Sequence, residues 1–291
     1  METGRYEIRK MTRAEVDFAI GLAAEEGWNP GIHDAECFYA ADPNGFFIGL
    51  LNGELISTVS AVMYGEVYGF LGLYVVKPEY RSEGYGTKIG MEALNYLGNR
   101  CVGLDGVLAR QETYAQHGFK FAHYNRRYKG FAIGGGQSGK LDSNIVDLSE
   151  IPFEVLNAYD EDLFQAPRSE FLRSWINQPD GISLGIVADG RLSGYTVLRK
   201  CAEGNKVGPL FADREDLAEA LFHELSCRLP EGTPMFLDVP GEAQNPAATR
   251  LAMRHGMNVV FETARMYRTQ NAAEIHLPLE RWFGITTFEL G

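Results

Sequence analysis

The chain has 291 residues, 45% of them hydrophobic and 23% charged, the balance of a soluble globular protein long enough for two cores. Its formal net charge of −12 sets aside a nucleic-acid partner, whose phosphates need clustered Lys and Arg, and is compatible with a cationic substrate. No apolar run approaches a bilayer-spanning length and the amino end METGRYEIRK has no apolar core, so the expectation is a cytoplasmic protein without a membrane partner.

Residues 6–9 read as a short strand. Thr12 and Glu15 have the capping-box spacing of a helix running to about Glu26, where Gly27 stops it. The turn Trp28-Asn29-Pro30-Gly31 follows, and Asp34 is placed to cap a short helix through Tyr39. Residues 46–51 and 55–63 flank Asn52-Gly53, the strongest short-range hairpin signal in the chain. The apolar strand at 70–76 is ended by Pro78, which also pushes Lys77 out of helical geometry. Beyond it Ile89, Ala93, Leu94 and Leu97 recur at three- and four-residue spacing, the stripe of an amphipathic helix opening near Gly86. Residues 102–108 read as a strand, 112–117 as a helical turn stopped by Gly118, and 119–128 as a further strand.

The junction VKPEYRSEGYGT is the most informative stretch. The first four N–H groups of a helix lack internal partners and carry the positive end of the peptide dipole, so a phosphate can rest on them where side chains do not intervene. Gly84 and Gly86 remove those side chains, Arg81 adds a fixed positive charge and Thr87 adds a hydroxyl donor. A nucleotide P-loop would need four residues between its glycines and then Gly-Lys-Ser/Thr, and a dinucleotide fingerprint would need a third glycine where Ile89 stands.

What remains, Arg-x-x-Gly-x-Gly after a strand ending in Val-x-Pro, resembles the coenzyme A pyrophosphate loop of the GCN5-related N-acetyltransferases, the GNAT superfamily. The order of elements up to residue 128 matches that family as well. The resemblance implies that Tyr74, Val75 and Val76 at the strand end, with Arg81, Ser82, Glu83, Gly84, Tyr85, Gly86 and Thr87 in the turn, bind acetyl-CoA. It further implies that the strand ending at Val76 splays from its neighbour, and that Val75 or Val76 supplies an N–H to the oxyanion. A second point of resemblance is YAQHGFKF, in which Tyr114 precedes Gly118-Phe119; in the family this tyrosine is the general acid that protonates the departing thiolate.

An attacking amine must be unprotonated, which calls for a base or a water relay. Glu25 and Glu26 at the end of the first helix, Asp34 beyond the turn and Asp105 on the next strand are the candidate carboxylates. Trp28 and His33 lie on the loop that covers the acceptor site in the family, where Trp28 either walls an amine pocket through cation–π contact or fills a core. Cys37, Cys101, Cys201 and Cys227 are widely separated and form no C-x-x-C, which indicates neither a disulfide frame nor a zinc site, so buried thiols and no metal are expected.

A glycine-rich run at 134–143 marks a boundary between an acetyl-CoA-binding domain at 1–133 and a second domain at 144–291. There the pattern starts again: helices at 152–159 and 169–177, strands at 182–188 and 192–198 around Asp189-Gly190, a strand at 207–211, and a helix capped by Asp213. A strand at 235–239, a helix at 245–255 and a strand at 258–267 complete the set. GIVADGRLSGYTVL echoes GFFIGLLNGELISTVSAV and AMRHGMNVV echoes YAQHGFKF, so the chain reads as two divergent copies of one fold.

The second copy has FADREDLAEALF at the phosphate turn, with no glycine and with Asp213, Glu215 and Asp216 at the helix start, where they would repel a pyrophosphate. It also lacks the tyrosine. The whole is similar to tandem acetyltransferases whose second domain is of the degenerate, YitH-like kind. The expected class is therefore α/β (α+β), two GNAT-like domains, each a mixed, mainly antiparallel twisted sheet flanked by helices. The second half either completes the acceptor pocket or forms a homodimer surface, and Arg265, Met266, Tyr267, Asp238 and Asn245 are expected at the seam. The resemblance implies an N-acetyltransferase for a small-molecule amine; the alternative is a coenzyme A-binding sensor without turnover.

Overall fold

The computed structural model describes residues 5–135, 144–269 and 275–291. In chain order the first half contains β1 (Tyr6–Lys10), α1 (Arg13–Glu25), α2 (Asp34–Ala41), β2 (Phe46–Leu51), β3 (Glu54–Tyr64), β4 (Tyr68–Val76), α3 (Tyr85–Leu97), β5 (Cys101–Val107), α4 (Gln111–Gln116) and β6 (Lys120–Phe131). The second half repeats this order as β7 (Ile145–Asp147), α5 (Phe153–Phe164), α6 (Ser169–Trp175), β8 (Ile182–Ala188), β9 (Arg191–Lys200), β10 (Asn205–Ala212), α7 (Glu215–Arg228), β11 (Pro234–Pro240), α8 (Pro246–Arg254) and β12 (Asn258–Arg268). A short strand without a counterpart in the first half, β13 (Trp282–Gly284), then follows. Most of the glycine-rich run at 134–143 lies outside the described residues.

Local chemistry explains most of these boundaries. Glu15 accepts hydrogen bonds from the Thr12 backbone N–H (2.8 Å) and hydroxyl (3.0 Å), fixing the start of α1. Asn52 and Gly53 have φ of 51° and 88°, and Asp189 and Gly190 have 52° and 75°. Both pairs thus have the positive φ that a tight two-residue hairpin demands. Asp213 does not cap α7. Its carboxylate instead accepts from Tyr159 (3.0 Å) and Arg281 (2.6 Å), and Arg214 occupies the cap position.

The expected pair of sheets is fused into one. Its strand order is β1-β2-β3-β4-β5-β12-β6-β11-β10-β9-β8-β7, with β13 pairing β10. β4–β5 and β10–β11 run parallel, and the other pairings are antiparallel. Each half ends on a strand that the other half uses: β12 hydrogen-bonds β5, and β6 hydrogen-bonds β11. The exchange has a simple cause. Each repeat stops after its sixth strand, leaving β5 and β11 with open edges that the other repeat can cover.

Helices flank this sheet, and the apolar side chains form three clusters rather than two. One joins α3 to the first-half strands and to Ala264 and Met266 of β12, and a second joins α7 and α8 to the second-half strands and to Tyr128 of β6. The largest combines Phe38, Tyr64 and Phe70 from the first half with Phe164, Trp175 and Trp282 from the second. Cys37, Cys101 and Cys201 are buried, and Cys227 is half-buried. No helix among the described residues is long and apolar enough to cross a membrane.

Charge crosses the seam as well. Arg265 on β12 grips Asp105 on β5 through two bonds of 2.7 and 2.6 Å, Arg127 on β6 grips Asp238 on β11 through two of 2.7 Å, and Arg199 on β9 lies 3.1 Å from Asp34 on α2. All six side chains are buried. Asn245 is not at the seam. It caps α8 by accepting from the Ala248 N–H (3.0 Å) and donates to carbonyls at 279, 280 and 282.

Removing one partner of a buried pair leaves an uncompensated charge, so Arg265→Ala is expected to cost about 3–5 kcal/mol in urea unfolding. The exchange of both residues, Asp105→Leu with Arg265→Met, should recover most of that loss.

A second expectation concerns His123, buried on β6 opposite Arg265. Burial pushes its imidazole down to about 3, with the Arg265 charge acting in the same sense. The folded value lies below the ordinary 6.5, so this contribution is whole above pH 6.5 and is lost as pH falls toward 3. Between those limits wild-type stability should fall by about 1.4 kcal/mol per pH unit more than that of His123→Asn, read from urea curves at successive pH values.

Candidate active site

The site begins with an irregularity in β4. Thr58 pairs with Val75 but Ser60 pairs with Gly72, so β4 carries one extra residue. Leu73 takes it up with φ of 44°, and its carbonyl accepts a 2.8 Å bond from the Thr58 hydroxyl. The parallel pairing of β4 with β5 ends at Leu71–Leu104, and beyond it the two strands part. The Lys77 N–H bonds the Ile56 carbonyl at 2.9 Å, so the alternation of an antiparallel ladder turns the Val75 N–H toward β3 and the Val76 N–H into the gap. Of the two candidate oxyanion donors, Val76 therefore has the orientation.

The chain then turns. Pro78–Tyr80 form a single 3₁₀ turn, Ser82 and Gly84 have φ of 67° and 85°, and Gly84 is the residue that caps α3. The first bond within the helix runs from the Lys88 N–H to the Gly84 carbonyl (3.2 Å), which leaves the preceding amides free of intrahelical partners. A methyl on Gly84 would meet nothing within 4 Å, and one on Gly86 would stand 3.4 Å from Val76 Cγ2 and 3.5 Å from Tyr74 Oη. Gly84 thus faces open space, whereas Gly86 sits against the strand end, where a methyl would be in ordinary contact with Val76 and Tyr74. The Tyr74 hydroxyl locks the junction by donating to the Gly86 carbonyl (2.5 Å). Arg81 donates to the Val76 carbonyl (2.8 Å) and is ion-paired with Glu26, which offsets its charge.

These groups line one cleft of about 440 Å³ between β4 and β5. Ser82 and Thr87 reach it, whereas the side chains of Glu83 and Tyr85 do not, and the Tyr85 ring packs on Tyr6 with centroids 4.7 Å apart. Tyr114 faces the gap from α4. Its ring lies against β5 where Gly106 has no side chain, since a methyl there would come within 2.6 Å of the ring. Phe119 and Tyr74 pack on it, with centroids 6.2 and 6.4 Å away. Burial pushes the Tyr114 phenol up to about 12, against the opposing pull of Arg110.

The other end of the cleft corrects one expectation. Asp34 is fully buried outside the cleft, where it accepts from the Gly31 N–H (2.7 Å) and pairs with Arg199. It holds the 28–31 loop rather than a substrate. Asp105 does line the cleft but is committed to Arg265 and to the Asn125 amide (2.7 Å). Burial pushes its carboxyl up and the Arg265 guanidinium pulls it back. His33 sits apart, 3.6 Å from Asp180, and Trp28 walls the cleft as one of the two readings allowed.

Phe261 and Thr263 on β12, with Phe288 and Glu289 beyond β13, are cleft residues that the sequence pattern did not single out. The apolar run WFGITTFEL is the signal that could have found residues 282–290, since so greasy a segment must be covered.

The corresponding gap in the second half is closed. β10 pairs with β11 only over Asn205–Met235 to Val207–Leu237, and β13 then inserts, with Leu210 opposite Gly284 and the Ile285 N–H bonded to the Asp238 carbonyl (2.7 Å). At the start of α7, Glu215 is paired to Arg250 and Arg254, and Asp216 to Arg214.

The segment that carries the bulged strand and the glycine-capped helix lies within a stretch that sequence comparison matches. Residues 13–119 match the model described as "Acetyltransferase (GNAT) family", and residues 156–279 match that described as "Acetyltransferase (GNAT) domain". The chain belongs to the GNAT acetyltransferases. It is a tandem GNAT protein, with one copy in each half. Among its relatives are holothin acyltransferase of Pseudoalteromonas sp. (strain SANK 73390), 27% identical over 84% of this chain and 82% of the relative, and the uncharacterized N-acetyltransferase YitH of Bacillus subtilis (strain 168), 26% identical over 81% and 83%. A proposed acetyltransferase from Pyrococcus horikoshii shares the fold with a TM-score of 0.79 at 19% identity, over 100% of this chain and 97% of that one. The GNAT assignment makes the protein an acyltransferase by family, and its open cleft belongs to the first copy.

Proposed function

We propose that the protein is an N-acetyltransferase that moves the acetyl group of acetyl-CoA to the primary amine of a small molecule by direct attack within a ternary complex. The observation that carries this reading is that the bare start of α3, the outward amide of Val76 and the Tyr114 phenol all meet in one cleft. The amides at 85–87 and the Thr87 hydroxyl are donors for the pyrophosphate, and Arg81 joins them once it leaves Glu26. The pantetheine arm then lies along the parted edge of β4, with the acyl carbonyl toward the Val76 N–H.

Attack by the amine nitrogen forms the C–N bond and places negative charge on the carbonyl oxygen, which the Val76 N–H stabilises. Collapse breaks the C–S bond, Tyr114 gives its proton to the thiolate, and water takes the proton the nitrogen sheds on becoming an amide and reprotonates the phenol. A phenol held up to about 12 carries its proton throughout the neutral range, as an acid in this role must. The acceptor end is walled by Trp28, Phe261 and Phe288, which favours a small amine over a lysine on a folded protein. The name holothin acyltransferase borne by one relative is in keeping with acyl transfer.

Calorimetry and thiol release against a panel of amines test the reading. Gly86→Val is expected to keep the fold, checked by circular dichroism, and to weaken acetyl-CoA binding by at least about tenfold, or 1.4 kcal/mol. Unchanged affinity in that variant would remove the pyrophosphate site.

Tyr114→Phe should bind acetyl-CoA as the wild type does while thiol release falls about 10²-fold or more. Wild-type turnover in Tyr114→Phe would exclude the phenol as the acid.

A further inference from the structure

Acetyl transfer to an amine leaves one proton without a destination, because an ammonium must lose a proton before or as its nitrogen attacks. Three carboxylates line the cleft: Glu26, Asp105 and Glu289. Glu26 is held by Arg81, and Asp105 by Arg265 and Asn125, so either would have to leave a cationic partner to take up a proton. Glu289 is held differently. Its carboxylate accepts from the Thr287 hydroxyl, and among the described residues it enters no ion pair.

Its placement matches the chemistry. Glu289 is 3% exposed and belongs to the segment 285–291, which leaves β13 and passes beneath β4. A Cβ on Gly72 would overlap the Glu289 backbone carbonyl, so only glycine at that position admits the segment, one residue before the Leu73 bulge where the strands part. The segment is fixed on both sides of the carboxylate. Arg199 donates to the Thr286 carbonyl (2.9 Å), Arg168 to the Thr286 hydroxyl (3.1 Å), and Tyr64 to the Leu290 carbonyl (2.9 Å). Phe288 faces the cleft and lies under the Arg127 guanidinium, 5.0 Å from its ring centroid.

Given acetyl transfer to an amine as the reaction, we propose that Glu289, supplied by the second half, accepts the proton of the acceptor, and that the acceptor is a cationic alkylamine with an apolar body seated among Trp28, Phe261 and Phe288. The carboxylate and the aromatic walls attract the ammonium. One N–H proton of the ammonium passes to Glu289, the freed amine nitrogen bonds to the acyl carbon, the C–S bond breaks as the thiolate takes the Tyr114 proton, and the nitrogen, now part of the amide, gives its second proton to water. Exchange with water then restores both side chains. The products are the N-acetylated amine and free coenzyme A.

Glu289→Gln preserves the size of the side chain and an oxygen for the Thr287 hydroxyl. It is expected to leave acetyl-CoA affinity by calorimetry unchanged while kcat/KM for alkylamines falls about 10²- to 10⁴-fold. The deficit should shrink for an O-alkylhydroxylamine, which is already neutral at pH 7. In Glu289→Ala, added formate should restore part of the rate. Equal kcat/KM in wild type and Glu289→Gln, or a deficit of the same size for both classes of amine, overturns the assignment of Glu289 and leaves acetyl transfer standing. A wild-type protein that binds acetyl-CoA yet releases no thiol with any amine overturns the transferase reading and this assignment with it. If Glu289→Gln loses its acetyl-CoA site or its fold, the formate experiment decides: no rescue in a folded Glu289→Ala protein overturns the proposal.

Discussion

Asp105 and Arg265 lie on neighbouring strands from opposite halves of the chain, and a bidentate pair with no exposure ties them together. Charges so far from water tolerate little misplacement, because each loses its hydration and is compensated only by its partner. Arg127–Asp238 and Arg199–Asp34 repeat the arrangement. Lys206 adds a cation that donates to the Asn29 carbonyl (2.7 Å), and so ties the loop carrying Trp28 to β10. Together these contacts specify how the exchanged strands β6 and β12 are seated.

The cleft inherits its shape from that seam. The end at the start of α3 is built by the first half alone, from the bulge at Leu73, the parted edge of β4 and the glycine-capped helix start. The opposite end is composite: Trp28 comes from the first half, Phe261 and Thr263 from β12, and Phe288 and Glu289 from the segment beyond β13. The same stretch of chain therefore fills the gap of the second copy through β13 and then lines the gap of the first. One copy gives up its cleft and contributes walls to the other.

This division accounts for the asymmetry of the repeats. In the first, left-handed Gly84 lets the backbone enter α3 with its amides uncovered. In the second, Glu215 and Asp216 occupy the positive end of α7 and are themselves covered by arginines, so the helix start is already satisfied. The hairpin turns at Asn52-Gly53 and Asp189-Gly190, by contrast, are alike in both copies.

The sequence by itself determined the features that depend on neighbours in the chain. The capping box at Thr12, the positive-φ hairpin pairs, the strand broken by Pro78, the stripe of α3 and the uncovered glycine turn are all local, and their periodicities and spacings expose them. Only the tertiary structure decided that two repeats share one sheet, since β5 and β11 say nothing in sequence about which strand will cover them. It also decided the fate of the acids. Asp34 and Asp105 read as plausible ligands until Arg199 and Arg265, more than a hundred residues away, are seen to hold them. Glu289 could not be singled out from its own segment, because its position in the cleft depends on a contact with Gly72 more than two hundred residues earlier. Local patterns encode elements, whereas a site assembled from distant strands exists only once packing has brought those strands together.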